Sequence, residues 1–170
     1  MKTLGAVLAG GRSSRFGSDK ALATLDGQTL LDHALAALRP HCDALVLVGR
    51  DEGIADWPRP DMGPLGGFAG ALRHAAGAGF DQLLTAPVDC VRLPADLRAL
   101  LEPAPAFLDT QPVIGLWPVA TLDVLQAILA DGRDLAVRAY ARQIGARAVQ
   151  SDFVPPNINS LADLDRLAGS

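Results

Sequence analysis

The sequence predicts an α/β protein with a three-layer α/β/α architecture and a mostly parallel, Rossmann-like sheet. Three apolar runs, at residues 4–9, 44–48 and 82–86, have the length and composition of strands buried on both faces. Segments with helical periodicity separate them, and this alternation is typical of a parallel sheet covered by helices. The 170 residues, of which 49% are hydrophobic and 20% charged, suffice for one domain with its own core.

The first predicted helices follow from caps and prolines. Thr29, with an aspartate three residues later, resembles a capping pair for a helix whose apolar face repeats until Pro40. Two prolines punctuate the loop at residues 49–60, and a helix is predicted over residues 68–76. The next helix, over residues 94–101, begins with proline, which is favoured at a first helical position.

The end of the chain is predicted to be largely helical. Helical periodicity extends over residues 121–130 and 135–144, and a short strand is predicted over residues 147–150. Ser160 opens the last helix, because Asp163 stands three residues later as in a capping pair.

The loop after the first predicted strand carries the strongest chemical signal. Gly10 and Gly11 allow the backbone to approach a ligand closely, and successive N–H groups in such a loop form an anion-binding concavity. Arg15 adds a planar guanidinium and Lys20 a compact ammonium. The pattern matches neither the P-loop nor the G-x-G-x-x-G fingerprint. It nevertheless predicts a site for a nucleoside triphosphate.

The same stretch resembles the L-A-G-G-x-S-x-R-x-G-x-D-K-A-L signature of the molybdenum cofactor guanylyltransferase (MobA) family. Every fixed position is matched, by Leu8, Ala9, Gly10, Gly11, Ser13, Arg15, Gly17, Asp19, Lys20, Ala21 and Leu22. The resemblance extends through nearly the whole chain and implies a single nucleotidyltransferase domain over residues 1–170. Its nucleotide-binding half would be about 1–90 and its acceptor-substrate half about 91–170. The implied nucleotide contacts in this loop are Leu8, Ala9, Gly10, Gly11, Ser13, Arg15 and Lys20.

A second element of the family begins at Gly63, where Gly-Pro-Leu matches a G-P-L-x-G pattern. There the backbone would approach the nucleotide again, with a helix N-terminus near the ligand. In the family an acidic residue just ahead of G-P-L helps to hold the nucleoside. Asp56 and Asp61 both stand ahead of it, and spacing alone does not choose between them.

Asp89 follows the third predicted strand, at the edge where open α/β sheets bind ligands. A carboxylate there can bind Mg²⁺ through oxygen while substrate phosphates fill other positions. The resemblance implies that Asp89 is the metal ligand. The family usually has x-Pro after this aspartate, whereas Cys90 and Val91 follow it here.

The acceptor half departs from the family pattern. Only residues 102–110 precede the Q-P-x-x-G-L element that begins at Gln111, where the family has a longer piece with an additional strand. We therefore expect this part to be trimmed. Near the end, Asn157 and Asn159 resemble an N-x-N element and could hydrogen-bond a polar substrate, although turn formation explains them equally well.

The resemblance implies transfer of GMP from GTP to molybdopterin carrying molybdenum, with release of pyrophosphate. Mg²⁺ is the implied cofactor. The implied partners are GTP, the molybdopterin cofactor, and proteins that make or accept the molybdenum cofactor. Arg15 and Lys20 would offset charge on the leaving pyrophosphate while Asp89 holds the metal, so these three residues are the predicted catalytic groups.

Two other functions remain open. The first is a molybdenum cofactor cytidylyltransferase or another NTP-dependent nucleotidyltransferase. Cytidylyltransferases resemble L-A-A-G in this loop, so Gly10 and the Gly-Pro-Leu element favour the guanylyl branch. The second is a non-catalytic GTP-binding protein in molybdenum cofactor handover, which would bind GTP and release no pyrophosphate.

Composition excludes several classes of function. A net charge of −4 at pH 7 argues against a general nucleic-acid binder. Cys42 and Cys90 lack the spacing of a structural zinc site. No apolar run approaches the roughly 18 residues of a membrane span, and the apolar start is too short for a signal peptide. We therefore expect a cytoplasmic protein that contacts neither nucleic acid nor membrane.

Overall fold

The computed structural model describes residues 1–10, 19–156 and 158–169. The strands are Thr3–Leu8 (β1), Thr24–Leu25 (β2), Gln28–Thr29 (β3), Ala44–Val48 (β4), Gln82–Pro87 (β5), Ala106–Leu108 (β6), Gln111–Pro118 (β7) and Arg147–Val149 (β8). The helices are Leu30–Leu38 (α1), Pro64–Gly77 (α2), Leu97–Leu101 (α3), Leu122–Asp131 (α4), Val137–Gln143 (α5) and Leu161–Ala168 (α6).

Six of these strands form one sheet in the order β4–β1–β5–β7–β6–β8. β1 is parallel to both β4 and β5, β6 is parallel to β8, and β7 is antiparallel to both of its neighbours. The parallel register places Leu8 opposite Val48 on one side and opposite Pro87 on the other. The carboxyl ends of β4, β1 and β5 therefore meet at one edge of the sheet.

Helices cover both faces of the sheet, which confirms the predicted α/β class and its three layers. α2, α4 and α5 pack on one face, in a core that contains Phe68, Trp117 and Tyr140. α1 and α3 pack on the opposite face, around Leu38 and Leu97. Successive strand residues point to opposite faces, so each buried strand contributes to both cores.

Two predicted capping pairs are confirmed. The Thr29 hydroxyl accepts a hydrogen bond from the Asp32 N–H at 3.1 Å at the start of α1. The Ser160 hydroxyl accepts one from the Asp163 N–H at 3.2 Å at the start of α6. These bonds are local, so a pattern of three residues is enough to predict them.

Two helix starts differ from the prediction. α2 begins at Pro64, four residues before the predicted start, because Gly63 caps the helix and proline takes its first position. Its early glycines do not break the helix, since they are buried against the loop that contains Asp56. α3 begins at Leu97 instead of residue 94. Pro94 belongs to a preceding turn, in which its carbonyl accepts a hydrogen bond from the Leu97 N–H.

The short segment over residues 102–110 nevertheless contains a strand that the sequence did not predict. β6 lies within this segment and pairs with both β7 and β8. The prediction also missed β7, which begins at Gln111. A three-residue strand is too short to show a period, and an antiparallel strand among parallel ones is defined by its distant partners.

A small hairpin, β2–β3, lies between the glycine loop and α1. Its turn residues Asp26 and Gly27 have φ values of 52° and 81°, and Asp-Gly is a preferred pair for such tight turns. Leu25 of this hairpin packs with Val91, Ile158 and Leu164. This cluster brings the start of α6 next to the segment that follows β5.

No helix in the described part of the chain has both the length and the apolar character needed to cross a membrane.

Thr85 links β5 to β7 inside the core. Its hydroxyl is within 2.5 Å of the Val113 carbonyl oxygen, and it accepts a hydrogen bond from the Trp117 indole N–H at 2.9 Å. Both Thr85 and Trp117 are fully buried. Without the hydroxyl, the indole N–H would lie in an apolar core with no partner.

We expect Thr85→Val to lower the free energy of unfolding by about 1–3 kcal/mol, the usual cost of leaving a buried donor unsatisfied. Urea unfolding, followed by circular dichroism, measures the change. Thr24→Val makes the same replacement at an exposed position and should change stability by less than about 0.5 kcal/mol. Equal effects of the two variants would show that the Thr85 hydroxyl contributes nothing.

Candidate active site

A cavity of about 260 Å³ opens at the edge where β4, β1 and β5 end. Its lining residues are Leu8, Gly10, Val48, Asp56, Asp61, Gly63, Pro64, Gly67, Pro87 and Val113. Five of the sequence-predicted site residues therefore meet in one place: Leu8, Gly10, Asp56, Asp61 and Gly63. The volume is slightly below the roughly 300–1,000 Å³ usual for whole ligands, so it suits one end of a nucleotide.

At the cavity wall, Gly10 makes a direct backbone contact with Gly49. A Cβ on Gly49 would lie 2.7 Å from the Gly10 Cα, and one on Gly10 would lie 3.1 Å from the Gly49 Cα. Gly49 also has φ of 84°, which disfavours other residues. Ala9 beside them donates its N–H to the Val48 carbonyl at 3.0 Å, so its amide belongs to the sheet. Only glycine at both positions permits this contact.

Asp56 and Asp61 both face the cavity, but their surroundings differ. Asp56 is half-buried, and its side chain lies against Gly49, Gly66 and Gly67. Asp61 is exposed and has φ of 62°. Burial first, and then the nearby charge of Asp61, raise the pKa of Asp56. The structure thus places a desolvated carboxylate in the cavity wall and a solvated one at its rim.

The N-terminus of α2 forms another wall. Gly63 and Pro64 line the cavity at the first turn of the helix. The Gly66 carbonyl accepts a hydrogen bond from the Trp57 N–H at 3.0 Å, which ties the loop carrying Asp56 to the helix. The partial positive charge of a helix N-terminus favours anionic groups here, the carboxylate of Asp56 included.

Lys20 and Asp89, two of the predicted catalytic residues, form an ion pair at the same edge of the sheet. The Lys20 Nζ lies 3.1 Å from Asp89 Oδ2, and the two side chains are 19% and 20% exposed. The position of Asp89 follows from the sheet, because the Val88 N–H donates to the Leu8 carbonyl at 3.0 Å. The pair thus joins the loop after β1 to the end of β5.

Arg50 is a functional candidate that the sequence interpretation missed. It follows β4, and its Nη1 lies 2.8 Å from Asp19 Oδ2, while its Nε lies 3.2 Å from Glu52 Oε1. The hydrogen bond to Asp19 is the main cause that raises the pKa of Arg50, so the guanidinium stays charged. No local motif surrounds Arg50; only its contact with the signature residue Asp19 reveals it.

Two elements, β7 and the segment before α6, place the acceptor-side residues at the same edge of the sheet. β7 is antiparallel to β5, so its first residue, Gln111, lies at the edge where β5 ends, and Val113 lines the cavity. Asn159 is exposed, and its N–H donates to Asp163 Oδ2 at 2.9 Å at the start of α6. Its neighbour Ile158 packs with Val91, which places this segment beside the Asp89 loop.

Four predicted site residues lie outside the described residues: Gly11, Ser13, Arg15 and Asn157. Their roles remain predictions.

The donor set beside the cavity fits a magnesium ion that is shared with a substrate. No group of three or more His, Cys, Asp or Glu side chains with metal-binding geometry occurs among the residues that the structure describes. Asp89 offers one hard carboxylate, and Mg²⁺ commonly uses one or two carboxylates together with phosphate oxygens and waters. These residues fit Mg²⁺ only in company with a polyphosphate.

Comparison with known proteins agrees with this geometry. The family model described as MobA-like NTP transferase domain matches residues 5–149. A molybdenum cofactor guanylyltransferase from Acidiphilium cryptum is 37% identical over 94% of this chain and 90% of its own length. One from Cereibacter sphaeroides is 37% identical over 98% of this chain and 95% of its own.

A solved structure shares the fold. Molybdopterin-guanine dinucleotide biosynthesis protein A from Archaeoglobus fulgidus superposes with a TM-score of 0.77 at 20% identity, covering 98% of this chain and 97% of that one. The resemblance stated from the sequence is thereby confirmed. The chain is a nucleotidyltransferase and belongs to the MobA-like NTP transferase family, together with the molybdenum cofactor guanylyltransferases.

Proposed function

We propose that this enzyme transfers GMP from GTP to molybdopterin carrying molybdenum, forming the guanine dinucleotide cofactor and pyrophosphate. The observation that carries the proposal is that the cavity lined by Gly10 and Pro87 lies at the same sheet edge as the Lys20–Asp89 pair. One site thereby combines a niche for a nucleoside with a charge pair for phosphates. The guanylyltransferase name of relatives at 37% identity supports the choice of substrate.

The nucleoside end of GTP belongs in the cavity. Gly10 lines the cavity and has no side chain, so its backbone can lie close to a flat base. Asp56 is the acidic residue we assign to the nucleoside, since its carboxylate lies in the wall while Asp61 lies at the exposed rim. An ionised carboxylate only accepts hydrogen bonds, and guanine presents N–H donors along one edge.

The phosphates then extend toward Lys20 and Asp89. Pro87 lines the cavity and stands two residues before Asp89, so a bound nucleotide leads from one to the other. Lys20 would pair with the phosphates instead of with Asp89 alone. Asp89 would hold Mg²⁺, which supplies neutralisation of phosphate charge when it is bound. Arg15 is proposed to add a second cation, as the family signature implies.

The chemistry asked of the chain is positioning and charge stabilisation. A terminal phosphate oxygen of the pterin substrate forms a bond to the α-phosphorus of GTP, and the bond from that phosphorus to the bridging oxygen of the β-phosphate breaks. Pyrophosphate leaves with the bonding electrons, and negative charge accumulates on it. Lys20 stabilises that charge, and no covalent intermediate with the protein is required.

The pterin substrate approaches from the acceptor side of the edge. Gln111 at the start of β7 and Asn159 before α6 lie near the end of β5, on the side away from β4. Amide side chains can hydrogen-bond a polar pterin in both directions. We propose that these residues contact the acceptor, and that the proteins that make or use the molybdenum cofactor deliver or receive it here.

Two measurements test the proposal. Thermal unfolding with GTP, CTP or ATP, each with and without Mg²⁺, reports which ligand binds the folded state. A ligand at a hundred times its Kd stabilises the protein by about 2.7 kcal/mol, which raises the melting temperature clearly. Pyrophosphate release is then measured with the preferred nucleotide, with and without molybdenum-loaded molybdopterin.

We expect a Mg²⁺-dependent shift with GTP and acceptor-dependent release of pyrophosphate. A larger shift with CTP would transfer the protein to the cytidylyl branch. Binding of GTP without any pyrophosphate release would identify a non-catalytic GTP-binding protein in cofactor handover. No shift with any nucleotide would contradict the assignment of the cavity.

Lys20→Ala should lower kcat on the order of 10²- to 10³-fold, the usual effect of removing one electrostatic group aimed at the transition state. Lys2, the only other lysine of the chain, provides the control. It is exposed at the opposite edge of the sheet, where its N–H bonds Asp81, so Lys2→Ala should leave kcat unchanged. Near-normal turnover of Lys20→Ala would remove Lys20 from the mechanism.

Asp56→Asn should bind GTP about 10- to 10²-fold more weakly, because a charged acceptor becomes neutral. The same variant should be more stable than the wild type near neutral pH. The folded-state pKa of Asp56 is raised, so its contribution to stability falls as pH rises from the ordinary Asp pKa through the folded value. The gain should therefore disappear at pH values below that window. Melting temperatures measured across pH without GTP report the stability, and the shift on adding GTP reports the binding.

Asp61→Asn is the matched control, because asparagine tolerates the positive φ at this position. It should retain most of the GTP-induced shift. Loss of the shift in Asp61→Asn but not in Asp56→Asn would assign the nucleoside contact to Asp61.

A further inference from the structure

Arg50 occupies an unusual position for a charged loop residue. It stands two residues after β4, yet its side chain is only 16% exposed. Its Nη1 reaches both carboxylate oxygens of Asp19, at 2.8 and 3.0 Å, and its Nε donates to Glu52 at 3.2 Å. Asp19 lies 31 residues away in the sequence. The guanidinium therefore joins the end of β4 to the far end of the loop that follows β1.

The Asp19 carboxylate, which binds Arg50, also caps the turn that begins at Lys20. Asp19 Oδ1 accepts the Ala21 N–H at 3.1 Å, which caps the single 3₁₀ turn Lys20–Leu22. Lys20 is the first residue of that turn, and its Nζ reaches Asp89 at 3.1 Å. A continuous chain of contacts thus runs from β4 through Arg50, Asp19 and Lys20 to the end of β5.

The surface ion pair between Arg133 and Asp131 provides a comparison for the pair between Arg50 and Asp19. Arg133 lies 2.8 Å from Asp131, but its side chain is 86% exposed and its partner is two residues away. Such exposed pairs contribute little to stability and fix nothing beyond themselves. The Arg50 side chain is 16% exposed, and its partner Asp19, which is 45% exposed, is adjacent to Lys20 in the sequence. The planar guanidinium keeps its geometry with little further loss of freedom.

We propose that Arg50, acting through Asp19, is the positioning residue that sets where the Lys20 ammonium meets the phosphates of the nucleotide. This inference rests on the proposed function for the role of Lys20 and adds a residue that the family signature does not contain. Arg50 itself does not touch the nucleotide on this proposal. Its effect passes through the Asp19 carboxylate and the turn that this carboxylate caps.

A double-mutant cycle tests the route from Arg50 to Lys20. Arg50→Gln, Asp19→Asn and the double variant are compared with the wild type, with kcat and KM for GTP measured separately by pyrophosphate release. A displacement of about 1 Å at a reacting group can cost about 10²-fold, so each single variant should lose roughly 10- to 10²-fold in kcat. The double variant should lose no more than the worse single variant, because both remove the same contact.

Two further variants separate positioning from a general loss of structure. Arg50→Lys keeps one charge–carboxylate contact and should recover part of the kcat lost in Arg50→Gln. Arg133→Gln removes an exposed arginine and should leave kcat unchanged. Full turnover in Arg50→Gln would overturn the proposal. So would losses that multiply in the double variant, since Arg50 would then act on the nucleotide independently of Asp19.

A second readout needs no turnover. The chain contains two lysines, Lys2 and Lys20, so acylation by an amine-reactive reagent can be followed at each by peptide mass spectrometry. Arg50→Gln should raise labelling of Lys20 relative to Lys2 by about threefold to fivefold, the effect expected when one partly exposed ion pair is lost. An unchanged ratio would refute the positioning role even if turnover falls.

The outcomes also distinguish this inference from the proposed function. A wild-type enzyme that releases no pyrophosphate contradicts the function, and the lysine labelling then decides on Arg50 alone. An active wild type with an unaffected Arg50→Gln variant contradicts the inference and leaves the function intact.

Discussion

The ion pair between Lys20 and Asp89 is the contact on which the rest of the site depends. It joins the loop after β1 to the end of β5 across 3.1 Å, with both side chains about four-fifths removed from solvent. Partly burying two charges costs hydration that their attraction only partly repays. A structure that needed only stability would gain more from an apolar contact there. The proposed function gives the pair a reason, since Lys20 would bind phosphates and Asp89 would bind their metal ion.

The order of the strands explains why the site forms where it does. The chain leaves β1 for β4 on one side and then crosses to β5 on the other, so the loops at the carboxyl ends diverge around β1. Such a reversal opens a crevice in open α/β sheets. β7 then enters antiparallel beside β5 and brings Gln111 to the same edge. On the proposed function, the nucleotide and the acceptor would therefore meet at this edge, with the acceptor on the β7 side of β5.

The sequence predicted those features that depend on neighbouring residues and missed those that depend on distant ones. The caps at Thr29 and Ser160 and the parallel core strands were found because each is set by residues within a few positions. β7 was missed because its antiparallel direction is decided by pairing with β5. Arg50 was missed for the same reason, as its partner lies 31 residues earlier. Asp56 could be distinguished from Asp61 only by burial, which no spacing reveals.

Charged side chains that are partly buried occur at the candidate site, and their location is informative. Among the described residues, every buried side-chain nitrogen or oxygen has a hydrogen-bond partner. Each of these buried polar atoms is thus compensated for its lost contact with water. At the cavity, by contrast, Asp56 is desolvated beside another carboxylate, which raises its pKa, and Lys20 and Asp89 are withdrawn from water. Partly buried charged side chains that cluster at one sheet edge are typical of ligand sites. On the proposed function, a bound nucleotide would offset both penalties at once, because its base would donate hydrogen bonds to Asp56 while its phosphates would pair with Lys20. In this proposed arrangement, binding energy at the two ends of the nucleotide would determine the position of the α-phosphate between them.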